Sequence, residues 1–255
     1  MRVAIIGCGN LGCALAKALA KRFDVIVTRR NTEKIRFLEE IRCEITSDNI
    51  EAVVGSDIVM LTVKKKDVVG VLSQIGKHLS GKVLISFVAG LGFDELKRLA
   101  PNAKIVKAMT TLSAEFGKGI TTYYTDVESE TQDIVRDIEK VLSCFGDVVR
   151  VGSEYEVDVT TAFSSSTAFL ARIFQAFVYA GLRLGLSAEL SRRIAIGVFD
   201  GTSEMLKFEK PEELILRVTT PAGTTIEGLH RLMEHRAEYA VMEAICASAE
   251  KSLRK

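Results

Sequence analysis

Residues 218 to 229 read VTTPAGTTIEGL and place Thr219, Thr220, Thr224 and Thr225 around a proline and Gly223, with no histidine, lysine or carboxylate before Glu227. Hydroxyls are poor acids and bases but good directional hydrogen-bond partners, so such a turn suits holding a ligand rather than taking its proton. The same hydroxyls can accept from free N–H groups at a helix start, and proline and glycine punctuate turns. Ligand turn and helix cap are both open on these residues alone.

A second chemical pattern opens the chain. Residues 7 to 12, GCGNLG, follow the strand-like RVAII and precede the helix-forming CALAKALAKR. This is G-x-G-x-x-G in its required context, the signature of a dinucleotide-binding turn. Gly7 permits the tight turn, Gly9 lets backbone approach a pyrophosphate, and Gly12 lets the helix pack close to the strand; Asn10 and Leu11 complete the turn. The next strand, DVIVT, ends in RRN, where an NAD enzyme places Asp or Glu on the ribose 2′-hydroxyl. Arg29 and Arg30 suit a 2′-phosphate, which favours NADP, with NAD as the lesser option. VKKKD follows the strand DIVMLT at its carboxyl end, so Val63 and Lys64 are cofactor candidates, while Lys65 and Lys66 read as solvent charges. SFVAGLG ends a further strand, and its small Ala89 and Gly90 leave room for a flat ring.

Other chemistries find little support. His78, His230 and His235 lie in polar contexts and read as surface or cap residues. Five cysteines, with no C-x-x-C pair and no histidine at ligand spacing, argue against a metal site and read as buried thiols of a reducing compartment. A formal charge of +1 offers no field to gather nucleic acid or an anionic membrane, so a small-molecule partner is expected. The chain starts directly on a strand, and no apolar run reaches the ~20 residues of a membrane span, so a cytoplasmic protein is expected.

The elements that must position these residues divide at about residue 152. Before it, the β-branched runs VAII, VIVT, DIVML, KVLISF, AKIVKAM, GITTYY and DVVRV alternate with helical stretches at 11 to 22, 32 to 41, 66 to 77 and 129 to 145. That alternation predicts an α/β fold with a doubly wound, Rossmann-type sheet. After it, EYEVDVTTAFSSSTAFLARIFQAFVYAGLRLG has helical periodicity for ~30 residues, followed by helices near 188 to 207, 211 to 217, 223 to 234 and 236 to 252. Residues 1–152 are thus expected to bind NAD(P), and 153–255 to form an all-helical domain. The serines at 164 to 166 predict either a bend or a ligand-facing surface. The long helix is apolar over too broad a stripe for one small domain to cover, which predicts a homodimer or a larger oligomer.

Set in order, GCGNLGCAL, TVKKKDVVGVL, LISFVAGL, VLSCFGDVVRV, EYEVDVTTAFSSS, YAGLRLGLSAELSRRIA and above all VTTPAGTTIEGLHRLME resemble the pyrroline-5-carboxylate reductase family over essentially the whole length. That resemblance implies a Rossmann domain joined to a helical substrate and dimerisation domain, residues 153–255, that interlocks with its partner's, and NAD(P)H-dependent reduction of a cyclic imine to L-proline. It implies that Thr225 serves the imine nitrogen and that Thr219, Thr220, Gly223 and Thr224 belong to a carboxylate-binding turn, with Ser165 and Ser166 beside the substrate. Several positions depart from the family pattern: Lys65 for the proline of VKP, KAMTTLS for RxMPNTP, SSSTA for SGSGPA, and TPAG for SPGG. Three other readings compete: a reductase of another small imine, a β-hydroxyacid dehydrogenase, and a non-catalytic dinucleotide-binding homologue. The family of the second is marked by a Lys followed four residues later by Asn on the long interdomain helix, and residues 153 to 187 contain neither.

Overall fold

The computed structural model describes residues 1–127 and 132–253, so the first three residues of the helix predicted at 129 to 145 lie outside it. The chain forms two compact units, residues 1–165 with 248–255, and residues 166–247.

The first unit is built on eight strands: β1 (Arg2–Ile6), β2 (Asp24–Thr28), β3 (Glu44–Thr46), β4 (Ile58–Leu61), β5 (Val83–Ser86), β6 (Lys104–Thr110), β7 (Gly119–Tyr124) and β8 (Gly146–Arg150). Their spatial order is β3-β2-β1-β4-β5-β6-β7-β8, and β1 lies between β2 and β4 with parallel pairing on both sides. The reversal of order at β1 creates a crevice beyond the carboxyl ends of β1, β2 and β4. Strand β7 is antiparallel to β6. Only residues 111 to 118 join the two, with one 3₁₀ segment at Leu112–Phe116, and a parallel return needs a crossover of a dozen residues or more.

Successive residues of β1 serve opposite faces of the sheet. Val3 and Ile5 join Leu15, Leu19 and Phe145, whereas Ala4 and Ile6 join Ile26, Leu61 and Leu84. Burial on both faces explains the unbroken apolar strands. The faces are covered by α1 (Asn10–Leu19), α2 (Asn49–Val54), α3 (Val68–Ile75), α4 (Phe93–Leu99) and α5 (Gln132–Leu142). The helix expected at 32 to 41 is a 3₁₀ helix, Thr32–Ile41, rather than an α-helix. It buries only Ile35 and Leu38, three residues apart, the spacing that aligns on a 3₁₀ surface. Strand β3 and helices α2 and α4 were not predicted; α2 begins at Asp48, whose carboxylate accepts from the Ile50 and Glu51 amides.

One buried charge cluster fixes the start of α6 (Glu154–Arg183) within this unit. Lys107 on β6, 3% exposed, reaches Asp158 Oδ2 at 2.7 Å and Glu154 Oε2 at 3.1 Å. Glu154 also accepts from the Phe93 amide at the start of α4. A buried ammonium is tolerable here because both carboxylates compensate it.

The second unit holds the rest of α6, then α7 (Ala188–Met205), α8 (Pro211–Val218), α9 (Thr224–Glu234) and most of α10 (Ala237–Leu253). Ser187 caps α7 by accepting from the Leu190 amide, and Pro211 opens α8 where its missing N–H costs nothing. Helices α6 and α7 approach closely at Gly181, where a Cβ would lie 2.3 Å from Ser191 Oγ. Phe174 and Phe177 meet Phe199 edge to face. Only Val178, Ser191 and Ala195 are buried among the described residues of this unit. Among the described residues, no helix is long and apolar enough to cross a membrane.

Candidate active site

The glycine turn is held by both neighbouring strands. The Gly7 amide donates to Thr28 Oγ1 and the Cys8 amide to the Thr28 carbonyl, while Thr62 Oγ1 donates to the Gly7 carbonyl at 2.9 Å. Gly7 has φ +95°, and a Cβ there would strike the Val63 side chain at 2.4 Å, so only glycine fits. At Gly12 a Cβ would meet the Gly7 carbonyl and Thr62 Oγ1 at 2.9 Å, the close helix-to-strand packing expected of that position. A Cβ at Gly9 would meet nothing within 4 Å, so its backbone faces open space.

That space is a cleft of about 750 Å³. Gly7, Gly9, Arg29, Arg30, Val63 and Lys64 line it, as do Lys34 and Lys66, and Asp67 is its one lining acid. The excess of cations gives the cleft a positive field suited to phosphates. The two arginines differ. Arg29 Nη1 donates to the Cys8 carbonyl at 2.7 Å and so ties the end of β2 to the glycine turn. Arg30 is 90% exposed, with one long contact of 3.5 Å to Asp67. Among the other predicted positions, Asn10, Leu11 and Gly12 form the first turn of α1, and their backbone opens that helix. Ala89 is exposed and Gly90 half-buried after β5; neither lines the cleft. Lys65, read as a solvent charge, lies near Gly90, where a Cβ would be 3.5 Å from its Nζ.

Sequence reasoning missed Lys34, Ser47, Asn49 and Gln74 as lining residues, and Lys66, read as a solvent charge, lines the cleft too. Lys34 carried a signal, since it follows the arginine pair within one helical turn. Ser47, Asn49 and Gln74 come from separate elements that only the folded sheet brings together. A smaller cavity of about 160 Å³ lies between Met109, Thr111, Ile120, Thr122, Thr160, Phe163 and Ser164. It is lined from KAMTT, a segment where this chain departs from the pattern of the family it resembles.

At the threonine turn the capping alternative fails. Gly223 is the N-cap of α9 and no side chain accepts from the first-turn amides. Thr219 Oγ1 instead donates back to the Ile215 carbonyl of α8 at 2.6 Å. Thr220, Thr224 and Thr225 form no side-chain hydrogen bond among the described residues; Thr225 is half-buried and Thr224 exposed. Gly223 is needed because a Cβ there would sit 2.3 Å from Thr220 Oγ1. Ala222 takes φ +56°, a left-handed conformation costly for a residue with a Cβ. Ser165 Oγ donates to the Thr161 carbonyl, and Ser166 follows it on α6. Ser164 Oγ bonds the Thr110 and Thr160 carbonyls, so the serine run back-bonds within an unbroken α6. The cysteines are not uniformly buried as expected: Cys8 and Cys43 are, Cys13 and Cys144 are half-buried, and Cys246 is exposed.

A glycine turn at the switch point of a doubly wound sheet, opening on a basic cleft, defines a Rossmann-type dinucleotide oxidoreductase. A family model described as pyrroline-5-carboxylate reductase dimerisation matches residues 154–255, and one described as NADP oxidoreductase, coenzyme F420-dependent, matches residues 2–90. Pyrroline-5-carboxylate reductase 2 of Dictyostelium discoideum is 32% identical over 98% of this chain and 91% of its own. The pyrroline-5-carboxylate reductase of Aquifex aeolicus is 32% identical over 99% of this chain and 96% of its own. The crystal structure of Plasmodium falciparum pyrroline carboxylate reductase with NADP bound superposes with a TM-score of 0.88, at 27% identity, over 99% of this chain and 97% of that one. The chain belongs to the pyrroline-5-carboxylate reductase family.

Proposed function

We infer that this chain reduces 1-pyrroline-5-carboxylate to L-proline with NADPH. The observation that carries the reading is the turn at 219–225, which leaves the hydroxyls of Thr220, Thr224 and Thr225 without a capping role. Whole-length membership of the reductase family supports an imine over a hydroxyacid and turnover over mere binding.

The residues of the cleft fit NADPH. Gly7 and Gly9 shape the turn, and Asn10, Leu11 and Gly12 hold the pyrophosphate at the start of α1, where free amides face an anion. Arg30 takes the 2′-phosphate, with Arg29 holding the turn and adding charge, so NADH is the weaker cofactor. Val63, Lys64, Ala89 and Gly90 attend the rest of the dinucleotide. When bound, NADPH supplies the hydride that the imine carbon receives. The substrate enters as an iminium, already carrying its proton, so no strong acid is required of the protein. Thr225 orients the nitrogen by a hydrogen bond. Thr220 and Thr224 hold the carboxylate through hydroxyls and turn amides, while Thr219 and Gly223, which already donate to the Ile215 and Thr220 carbonyls, shape the turn.

Residues 1–152 act as the cofactor domain and 153–255 as the substrate and dimerisation domain, in keeping with the family match at 154–255. The working form is a homodimer or an assembly of dimers in the cytoplasm, where five unpaired thiols persist. Its partners are the imine and a second copy, with neither nucleic acid nor membrane. The deciding experiment follows NADPH oxidation with 1-pyrroline-5-carboxylate, with a ring-expanded imine, and with a 3-hydroxyacid and NADP in reverse. Turnover greatest with the five-membered ring is expected. Binding of NADPH without turnover of any imine would overturn the reading.

A further inference from the structure

The glycine turn contains a pair of thiols that cofactor binding does not need. With Gly9 as the N-cap of α1, Cys8 precedes the cap and Cys13 is the fourth helical residue. Side chains at these two positions meet across a helix start, which is why apolar residues there form a staple. Here the staple is two sulfurs, 2.8 Å apart. A disulfide bond is about 2.05 Å long, so closure needs a movement of about 0.8 Å.

The two thiols are differently placed for exchange chemistry. Cys13 is half-buried and open to a small oxidant, whereas Cys8 is 1% exposed. The hydrogen bond from Cys8, together with the Arg29 and Lys17 cations, lowers the Cys13 thiol to about 7 against the opposing effect of burial. The same hydrogen bond, with burial, pushes the Cys8 thiol up. Cys13 is thus the attacking sulfur and Cys8 the resolving one.

We propose that Cys8 and Cys13 form a reversible disulfide that clamps the glycine turn and switches off dinucleotide binding. The oxidant is a low-molecular-weight disulfide. The Cys13 thiolate attacks one of its sulfurs, the oxidant's S–S bond breaks, and the first thiolate leaves and takes up a proton. Substitution at Cys13 removes the hydrogen bond that held the Cys8 proton. Cys8 then gives that proton to solvent and attacks the Cys13 sulfur, and the second thiolate leaves. Two protein thiols are oxidised to one disulfide and one oxidant disulfide is reduced to two thiols. The ring so closed contains Gly9, which lines the cleft, and Asn10, Leu11 and Gly12, whose amides open α1. It also pulls on the Cys8 carbonyl that Arg29 holds. Misplacing a positioning group by about 1 Å can cost on the order of a hundredfold, so NADPH affinity is expected to fall at least about tenfold.

The inference rests on the dinucleotide reading of the turn for its consequence, though not for the disulfide itself. The test treats the full chain with oxidised glutathione, locates the disulfide by peptide mass mapping, and titrates NADPH by fluorescence before and after. Loss of two hydrogens between Cys8 and Cys13, weakened NADPH binding and recovery with dithiothreitol are expected. Cys13→Ser should bind NADPH like the reduced wild type and ignore the oxidant. Should that variant misfold by circular dichroism, Cys8→Ala serves instead, and it should trap glutathione on Cys13 as a mixed disulfide. No disulfide at this pair, or a disulfide with unchanged NADPH affinity, overturns the switch. Reduced wild type that cannot bind NADPH would overturn the cofactor reading and the switch with it.

Discussion

The two units of this chain stand at opposite ends of the burial scale. Residues 1–165 contain nearly the whole apolar core, with strands covered on both faces. Residues 166–247 bury three side chains among those described and leave Phe208 88%, Leu216 75% and Met233 67% exposed. Apolar surface on that scale marks an interaction surface rather than a free face. The sheet unit therefore carries its own core, and we propose that the helical unit depends on a second copy for its own. The proposed chemistry divides along the same line: the basic cleft lies in the sheet unit and the hydroxyl turn in the helical one.

The comparison breaks first if the helical faces can be made polar without consequence. Leu216→Glu with Met233→Glu removes two apolar side chains, each worth about 1.5–3 kcal/mol when buried. Light scattering should then show the single-chain mass of 27.9 kDa at concentrations where the wild type runs at twice that or more. A wild type that is itself monomeric would refute the dependence. Within the sheet unit, Lys107→Ala strands two carboxylates near a buried site, and such a loss costs about 3–5 kcal/mol. Urea unfolding measures it, and a cost below about 1 kcal/mol would show the cluster to be hydrated rather than structural.

The arginines sharpen the account of the cleft. Arg30→Ala should weaken NADPH binding about tenfold or more, the worth of one charge-assisted contact, and leave NADH unchanged. Arg29→Ala should weaken both, because it also releases the Cys8 carbonyl. Identical losses for the two variants would contradict the division of labour. The smallest effect expected is at Ala222. Glycine there removes a left-handed strain of about 1–2 kcal/mol but adds unfolded-state freedom of about 0.5–1 kcal/mol, so thermal unfolding should show a net gain of about 0.5 kcal/mol.

What could be read before folding was whatever announces itself locally. The glycine turn, the strands of the sheet and the arginine pair each carry their signal within a few residues. Strand β3 did not, being three residues long with no fully buried side chain, and Thr32–Ile41 disguised a 3₁₀ spacing as a helix. Ser47, Asn49 and Gln74 line the cleft only because the fold gathers them, and no local pattern marks them. The threonines were ambiguous for a different reason, since cap and ligand turn use the same residues. The geometry, with Gly223 capping α9 and Thr219 bonded to Ile215, removes the side-chain cap and separates it from the proposed ligand turn.

That separation makes Thr225→Val the most direct test of the central claim, that the hydroxyl turn serves the imine while the glycine cleft serves the cofactor. The measurement is kcat/KM for 1-pyrroline-5-carboxylate beside the NADPH dissociation constant and the unfolding free energy. Losing one hydrogen bond to a charged group should cost about 1.5–3 kcal/mol in the transition state, roughly ten- to more than hundredfold in rate, with NADPH binding and stability unchanged. A stability loss of about 1 kcal/mol with intact kinetics would return the turn to a helix cap and contradict the account.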